Sequence, residues 1–284
     1  MTSGGLGRTR IPKAPPATPA GPFPCPHPEA DGNLRGTMLS TDFSHVPNFT
    51  GYMARVYGHV CGGPPGQRVL DIPAGNGLLA NELRKAGHEV VCADINRERS
   101  EYVFADLNAR LPFDDASFDT VTCLEGLEHV LDPQALIGEL VRITRPGGRV
   151  ILSTPNLQNA FSRLRFFATG FHYQYGPWMC RQLAPGEQRD RGHIAPMTYL
   201  QLRYHFHYRG ARIEAVDGDK WKRKWLVPFL YPVFLLGRFW ASRIRRAEPD
   251  ADPAECDEVI RQMNGGALLF SRSLILVARV GKRP

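Results

Sequence analysis

The sequence has 284 residues, 43% of them hydrophobic, and a formal net charge of +7. This length allows one large core without requiring two domains, and the positive charge favours an anionic partner without separating nucleic acid, phospholipid and acidic substrate. The six cysteines are scattered without a CxxC pair, which excludes a zinc site of that spacing and predicts reduced thiols in a cytoplasmic protein.

Residues 1–40 are rich in Pro, Gly, Ser and Thr, and such a composition buries too little apolar surface to offset chain entropy. We expect a disordered tail with no signal peptide, because no apolar h-region follows a charged start. The aromatic segment 43–60 has a loosely helical period, and GGPPG then breaks the chain.

Short apolar runs then alternate with amphipathic stretches along residues 41–284, which we take as one domain. The alternation predicts a Rossmann-like α/β fold with a seven-stranded, mostly parallel sheet and helices on both faces. The predicted strands are 68–72, 89–95, 102–107, 118–125, 149–155, 211–218 and 273–280, and the predicted helices are 78–87, 133–144 and 198–210.

The first strand of this sheet runs into the loop VLDIPAGNG, residues 69–77. Gly75 and Gly77 let a ligand approach the backbone, and the following helix offers free N–H groups. Neither GxGxxG nor GxxxxGK[ST] is present, which argues against NAD, ATP and GTP. Asp94 ends the second strand and Asp106 follows the third, so the pattern predicts a site for a nucleoside without a pyrophosphate.

From Val69 to Val280 the chain resembles the class I S-adenosylmethionine-dependent methyltransferases. The family's first motif corresponds to residues 71–77, its ribose acid to Asp94 and its adenine-side acid to Asp106, and LPFDDASFDTV is similar to its approach to the fourth strand. The resemblance implies S-adenosylmethionine as cofactor, bound by Asp71, Pro73, Ala74, Gly75, Gly77, Asp94, Ile95, Asp106, Leu107 and Glu125.

Pro73 departs from the family pattern, because it stands where the first glycine is usual. Proline removes a backbone N–H and fixes φ near −65°. We expect it to stiffen the turn and to leave cofactor binding intact. The alternative is a catalytically silent partner subunit that binds the cofactor.

The fourth predicted strand leads into Glu125-Gly126-Leu127-Glu128-His129-Val130. His129 is a candidate general base, because an acceptor hydroxyl must lose its proton to a nearby histidine or carboxylate. The segment is similar to the E-x-x-E-H-V of quinone-biosynthesis O-methyltransferases. The resemblance raises the alternative of Mg²⁺ held by Glu125, Glu128 and His129. We favour a site without metal, in which Glu125 lines the cofactor site and the other two are hydrogen-bonded loop groups.

An acceptor-side loop is predicted over residues 156–197, with Phe171, Tyr173, Tyr175 and Trp178 lining an acceptor pocket or forming a small satellite core. Within it, GHIAPMT is similar to the family's H-I-x-x-x-T element. His193 is therefore a second candidate base, with a structural loop histidine as the alternative.

An insertion over residues 219–264 contains an apolar centre flanked by basic clusters at 220–224 and 238–246. The centre is short for a bilayer span and contains two prolines, whereas its flanks suit an interface with anionic lipid. We predict peripheral contact with the inner membrane face through 220–246, with an active-site lid as the alternative. Basic residues do not interleave along a groove, which disfavours nucleic acid.

These observations favour O-methylation of a hydroxyl on a lipid-linked, envelope-glycan or other membrane-associated acceptor. The alternatives are a soluble small molecule, such as a natural product or a quinone precursor, and the silent subunit. The acceptor atom itself is open among oxygen, nitrogen and carbon.

Overall fold

The structure, a computed structural model, describes residues 48–97, 99–177, 192–221, 227–247 and 252–281. The predicted tail, 1–40, lies outside the described residues. The strands are β1 (Arg68–Asp71), β2 (Glu89–Asp94), β3 (Val103–Phe104), β4 (Phe118–Leu124), β5 (Thr144–Pro155), β6 (Ala211–Gly218) and β7 (Ser273–Val280). The helices are α1 (Gly51–Cys61), α2 (Leu78–Lys85), α3 (Pro133–Ile143), α4 (Ala160–Thr169), α5 (Tyr199–Tyr208), α6 (Val227–Ala247), α7 (Pro253–Met263) and α8 (Gly266–Phe270), with a 3₁₀ turn at Leu127–His129.

The seven strands form one sheet in the order β3-β2-β1-β4-β5-β7-β6. All neighbouring pairs are parallel except those of β7, which runs antiparallel to both β5 and β6. The chain leaves β1 in one direction and later returns on its other side with β4. This reversal of strand order places a crevice at the carboxyl ends of β1 and β4. The predicted fold class is confirmed.

Helices cover both faces of the sheet, because neighbouring strand residues point to opposite sides. Leu70 and Leu152 join a core that includes residues of α3 and α5. Val69 and Ile151, one position earlier in each strand, join a second core with α1 and α2. Near-continuous apolar strands are therefore explained by burial on both faces.

The start of α3 illustrates how local sequence sets an element boundary. Asp132 accepts a hydrogen bond from the Ala135 backbone N–H at 2.9 Å, and Pro133 occupies the first helical turn. Proline tolerates this position because its missing N–H would have no helical partner there. The predicted helix start is confirmed.

Three predicted segments differ from the structure. The fifth strand, predicted over 149–155, begins five residues earlier at Thr144, which pairs with Phe118 of β4. The predicted third strand, 102–107, is reduced to Val103–Phe104, because Asp106 accepts a bond from the Asn108 backbone N–H and turns the chain. The predicted acceptor-side loop, 156–197, contains the helix α4. Its N-cap is Asn159, which accepts from the Ser162 backbone N–H at 2.9 Å.

The insertion folds as α6, α7 and α8 in the part that the structure describes. Within α6, Phe234 contacts Phe270 of α8 with 6.0 Å between ring centroids. Seven other large apolar residues of α6 are at least 47% exposed: Phe229, Tyr231, Val233, Leu235, Leu236, Phe239 and Trp240. A search of the described helices found none that combines the length and the apolar character needed to cross a bilayer.

Candidate active site at the carboxyl ends of the strands

The predicted cofactor residues lie at the carboxyl ends of β1 and β2 and on the segments that follow β1, β2, β3 and β4. The Gly75 backbone N–H donates to Asp94 Oδ2 at 2.9 Å, which joins the first loop to the end of the second strand. The other oxygen of this buried carboxylate accepts from the Asn96 backbone N–H at 2.9 Å. Ile95, beside it, is 44% exposed and therefore available to a ligand.

The first loop requires its glycines for two different reasons. Gly75 has φ +50° and Gly77 has φ +69°, a region that L side chains rarely adopt. A side chain at Gly75 would meet no atom within 4 Å, so the backbone is open on that side. At Gly77, a Cβ would lie 2.4 Å from the Tyr102 hydroxyl.

The segments after β3 and β4 close against the loop. The Ile72–Pro73 peptide bond is cis. A Cβ at Gly126 would lie 2.8 Å from Pro73 Cδ and 3.0 Å from Leu107 Cδ1. Gly126 therefore permits a close approach that the sequence pattern did not predict. Ala74, whose N–H donates to Ala93 O at 2.9 Å, fixes the base of the loop on β2.

Asp71 is buried at the end of β1 and is 2% exposed. Its Oδ1 accepts from Thr122 Oγ1 on β4 at 2.8 Å. Burial raises the pKa of this carboxyl from 3.8 to about 7, and the Thr122 hydrogen bond opposes that rise. Asp71 therefore titrates near neutral pH in the folded protein.

Glu125 lies directly after β4 with φ +50° and accepts from Ser153 Oγ at 3.0 Å. Burial raises its pKa above the usual range. Its side chain is held toward β5, the strand that contains Ser153.

Glu128, His129 and His193 form a compact cluster beyond Glu125. One possible ligand atom from each of the three lies within 4.8 Å of the other two. The rings of His129 and His193 meet edge to face, with 5.0 Å between centroids. The structure thus unites both predicted histidines. Glu125, a member of the alternative Mg²⁺ set, lies outside this group of three.

Backbone contacts hold the cluster together across more than sixty residues of sequence. The backbone N–H groups of Ile194 and Ala195 donate to the Glu128 carbonyl at 2.8 and 3.1 Å. His129 Nδ1 lies 3.1 Å from the Gly192 carbonyl oxygen. Because a carbonyl only accepts, Nδ1 carries a proton.

Two atoms of the cluster are buried without a hydrogen-bond partner: Glu128 Oε1 and His193 Nδ1. The other Glu128 oxygen accepts from Thr154 Oγ1 at 3.2 Å. The His193 ring also bonds the Gln174 backbone.

Burial controls the ionisation of the cluster. It raises the pKa of Glu128 well above the usual range, and repulsion by Glu125 adds to the rise. Burial and the neighbouring His129 lower the pKa of His193 to about 4. At neutral pH His193 is uncharged, so its imidazole accepts hydrogen bonds or protons.

The predicted acceptor-side aromatics divide into different environments. Tyr175 is buried, packs 5.4 Å from the His193 ring and donates to Ala195 O at 3.2 Å. Tyr173 packs edge to face on Phe161 at 5.4 Å, whereas Phe171 is 44% exposed. Trp178 lies outside the described residues. Tyr175 therefore borders the cluster, as an acceptor-pocket residue would.

The methyltransferase domain family matches residues 45–216, which is more than half of the chain. The match includes β1 to β5, most of β6, the first loop and the cluster.

Two similar curated proteins are the demethylmenaquinone methyltransferases of Mycolicibacterium paratuberculosis and Renibacterium salmoninarum. The first is 43% identical over 103 residues, 32% of this chain and 44% of that protein. The second is 37% identical over 149 residues, 49% of this chain and 59% of that protein. The chain thus spans about half the length of these relatives.

A SAM-dependent methyltransferase from Archaeoglobus fulgidus is among the solved structures similar to this chain. It is 18% identical with a TM-score of 0.48, and the alignment covers 80% of this chain and 92% of that one.

Proposed function

The chain belongs to the methyltransferase domain family, and from this premise we propose that it transfers a methyl group from S-adenosylmethionine to a hydroxyl of a membrane-associated acceptor. The observation that carries the acceptor class is the exposed apolar face of α6, which lies between basic segments. The residues of the first loop support the proposed binding of S-adenosylmethionine.

The first loop fits an adenosine-bearing methyl donor in shape and in hydrogen-bonding capacity. The backbone at Gly75 is open on the side where a Cβ would point. The Asp94 carboxylate keeps acceptor capacity beyond its two backbone bonds, as ribose hydroxyls require. The N-cap of α2 is Gly77, which has no side chain to cap the first helical N–H groups.

A bound sulfonium supplies an electrophilic methyl group. The protein's own contribution is to align the acceptor, exclude water and take up the proton of the hydroxyl. His129 and His193 are the proposed proton acceptors, and Tyr175 packs beside them. Because a pKa of about 4 makes His193 a weak base, we assign the proton to His129 and the positioning of the acceptor to His193.

The stripe Phe229, Val233, Leu236 and Trp240 follows helical spacing along α6, with exposed fractions of 60 to 73%. Phe234, the residue that packs on α8, lies outside this stripe. Arg243 continues the stripe by three positions and places its guanidinium over the Phe239 ring at 5.2 Å. An apolar stripe with basic ends fits the headgroup region of an anionic leaflet.

Vesicle co-sedimentation tests this surface on the full chain. We expect binding to phosphatidylcholine vesicles that contain about a third phosphatidylglycerol, and weaker binding without the anionic lipid. Each side chain contributes about 1.5–3 kcal/mol when fully buried, so F229S/L236S/W240S lowers the partition coefficient more than about 100-fold. Y204S/Y208S, on α5, is the matched control, since those tyrosines are 64% and 65% exposed. Equal loss in both variants would contradict the assignment to α6.

The name of the relatives supports a second candidate, methylation of a quinone-type acceptor. A labelled-methyl assay separates the candidates when membrane lipids, a demethylated quinone and a water-soluble extract are offered in parallel, with mass spectrometry of the product. Label on a lipid-phase hydroxyl supports the first proposal, and label on ring carbon of the quinone supports the second. Binding of S-adenosylhomocysteine without any transfer would instead support the silent subunit that Pro73 suggests.

A further inference from the structure

We propose that Glu128, His129 and His193 bind a divalent transition-metal ion such as Zn²⁺ or Mn²⁺. This ligand set differs from the Mg²⁺ set of Glu125, Glu128 and His129 that the sequence resemblance raises. The site itself is argued from its geometry alone, and only the role of the ion rests on the proposed function.

The three side chains are close enough to become ligands of one ion. Their ligand atoms lie within 4.8 Å of one another. Two ligands at about 2.0–2.1 Å from zinc, at a tetrahedral angle, are about 3.3 Å apart. An inward movement of about an ångström or more by side chains alone would complete the coordination.

The unpartnered atoms are an independent observation that points to a missing ligand. Glu128 is 0% exposed, and its Oε1 and His193 Nδ1 have no hydrogen-bond partner. A buried polar atom left in this state costs about 1–3 kcal/mol. With Glu128 ionised and His193 protonated on Nε2, both atoms donate electron pairs, so one cation would satisfy both at once.

The cluster also has the outer contacts that orient metal ligands. The Gly192 carbonyl bonds His129 Nδ1 and orients the ring, and in the proposed site Nε2 is the ligand nitrogen. Thr154 Oγ1 fixes one oxygen of Glu128 and leaves the other for the ion. The Gln174 backbone bonds the His193 ring as well.

The donor set decides the class of metal. Two imidazoles and one carboxylate suit Zn²⁺, Mn²⁺ or Fe²⁺, whereas Mg²⁺ prefers oxygen ligands and keeps several waters. Glu125, the acid that would make the set richer in oxygen, is instead bonded to Ser153. The disagreement with a Mg²⁺ site therefore follows from which residues the fold brings together.

An ion at this position would promote loss of the acceptor's hydroxyl proton, which is the role proposed above for His129. A divalent cation lowers the pKa of an oxygen bound to it, and an acceptor hydroxyl at an open coordination position would lose its proton more readily. His129 and His193 would then act as ligands.

The test uses the full chain without a histidine tag, stripped with a chelator and free of cofactor and acceptor. Calorimetry with Zn²⁺, Mn²⁺ and Mg²⁺, and visible absorption with Co²⁺ as probe, should give one site per chain that prefers Zn²⁺ over Mg²⁺. Glu128→Gln, His129→Ala and His193→Ala each lower Co²⁺ affinity at least about 100-fold, because each removes a ligand. Glu125→Gln leaves the affinity within about threefold.

Two further measurements keep the result interpretable. Cys61 Sγ and His88 Nε2 lie 3.8 Å apart and form a separate thiol–imidazole pair that could bind the probe metal, so Cys61→Ser is measured in parallel. Circular dichroism confirms folding of each variant, and His193→Asn replaces His193→Ala if the latter does not fold.

The proposal is overturned by absence of stoichiometric binding, by affinity that survives both His193 variants, by loss of the site in Cys61→Ser, or by a Mg²⁺ preference that Glu125→Gln abolishes. Failure of the proposed function is a separate outcome, since metal binding is read without methyl transfer. A chain that binds the ion yet methylates no acceptor would retain the site and refute the function.

Discussion

The substitution Asp71→Asn tests whether burial of this carboxyl makes the stability of the protein depend on pH. Its folded-state pKa of about 7 lies above the ordinary value of 3.8, with burial as the main cause. The folded protein therefore keeps this proton over a range in which the unfolded chain releases it. The stabilisation is fully present below about pH 3.8 and is lost as the pH rises through about 7.

The magnitude follows from the size of the shift. A rise from 3.8 to about 7 is worth about 4 kcal/mol in total, of which about 2.6 kcal/mol falls between pH 5 and pH 8. Asparagine does not ionise in this range, so the variant lacks this loss.

The hydrogen bonds around Asp71 suit an asparagine. The asparagine Oδ1 would accept the hydrogen bond that the Ala80 backbone N–H donates to the Asp71 carboxylate in the wild type. Its Nδ2 would donate to Thr122 Oγ1, whose own proton goes to the Leu70 carbonyl at 3.1 Å. No buried polar atom is left unpaired, so the variant should fold.

Urea unfolding followed by circular dichroism at pH 5, 6, 7 and 8, without cofactor, measures the effect. We expect the unfolding free energy of Asp71→Asn relative to wild type to increase by about 2.6 kcal/mol across this range. Thr122→Val removes a hydrogen bond that lowers the Asp71 pKa. The pH-dependent loss of unfolding free energy in this variant should therefore extend to higher pH than in the wild type. A difference between Asp71→Asn and wild type that stays constant with pH would refute the reasoning.

Three further predictions concern other contacts. Gly126→Ala places a Cβ 2.8 Å from the Pro73 ring. It should lower the unfolding free energy by about 1–3 kcal/mol, measured by thermal unfolding, and weaken S-adenosylhomocysteine binding. Gly58→Ala is the control and should have neither effect, because its Cβ would meet no atom within 4 Å. Asp94→Ala removes the acceptor of two backbone N–H groups and should lower the affinity for S-adenosylhomocysteine more than about tenfold, measured by calorimetry. Glu89→Ala, at the exposed start of the same strand, should leave this affinity unchanged. Arg142→Met removes the cation that pairs with Glu139, a mostly buried carboxylate, and with Asp115, a half-exposed one. It should lower the urea midpoint by an amount equivalent to about 2–4 kcal/mol, and an unchanged midpoint would contradict this.

Local sequence patterns predicted the parts of the fold that depend on neighbouring residues. The buried strands β1, β2, β4 and β7 lie within one residue of their predicted bounds, because each is a short apolar run bounded by turn residues. The contact between Gly75 and Asp94 also agrees with the predicted convergence of the first loop and the second strand, because parallel strands end at the same edge.

Contacts between distant segments were harder to predict. His193 joins Glu128 and His129 through backbone bonds across more than sixty residues, and no periodicity encodes such a pairing. The sequence alone did not indicate that position 126 requires glycine, because this requirement depends on the position of Pro73 in the folded chain. The helix α4 did have a local signal, the N-cap Asn159, but its aromatic content favoured a pocket loop in the sequence interpretation.

The antiparallel strand β7 couples the last part of the sheet to its centre. The edge strand β6 has no described neighbour in the sheet order other than β7, and β7 in turn pairs with β5 through residues about 130 positions apart, such as Arg149 and Arg279. Detachment of β7 therefore removes two strands from the ladder together. Amide hydrogens of β6 should consequently exchange no more slowly than those of β7, and the pair should behave as one cooperative unit that assembles late, after a long loop has closed.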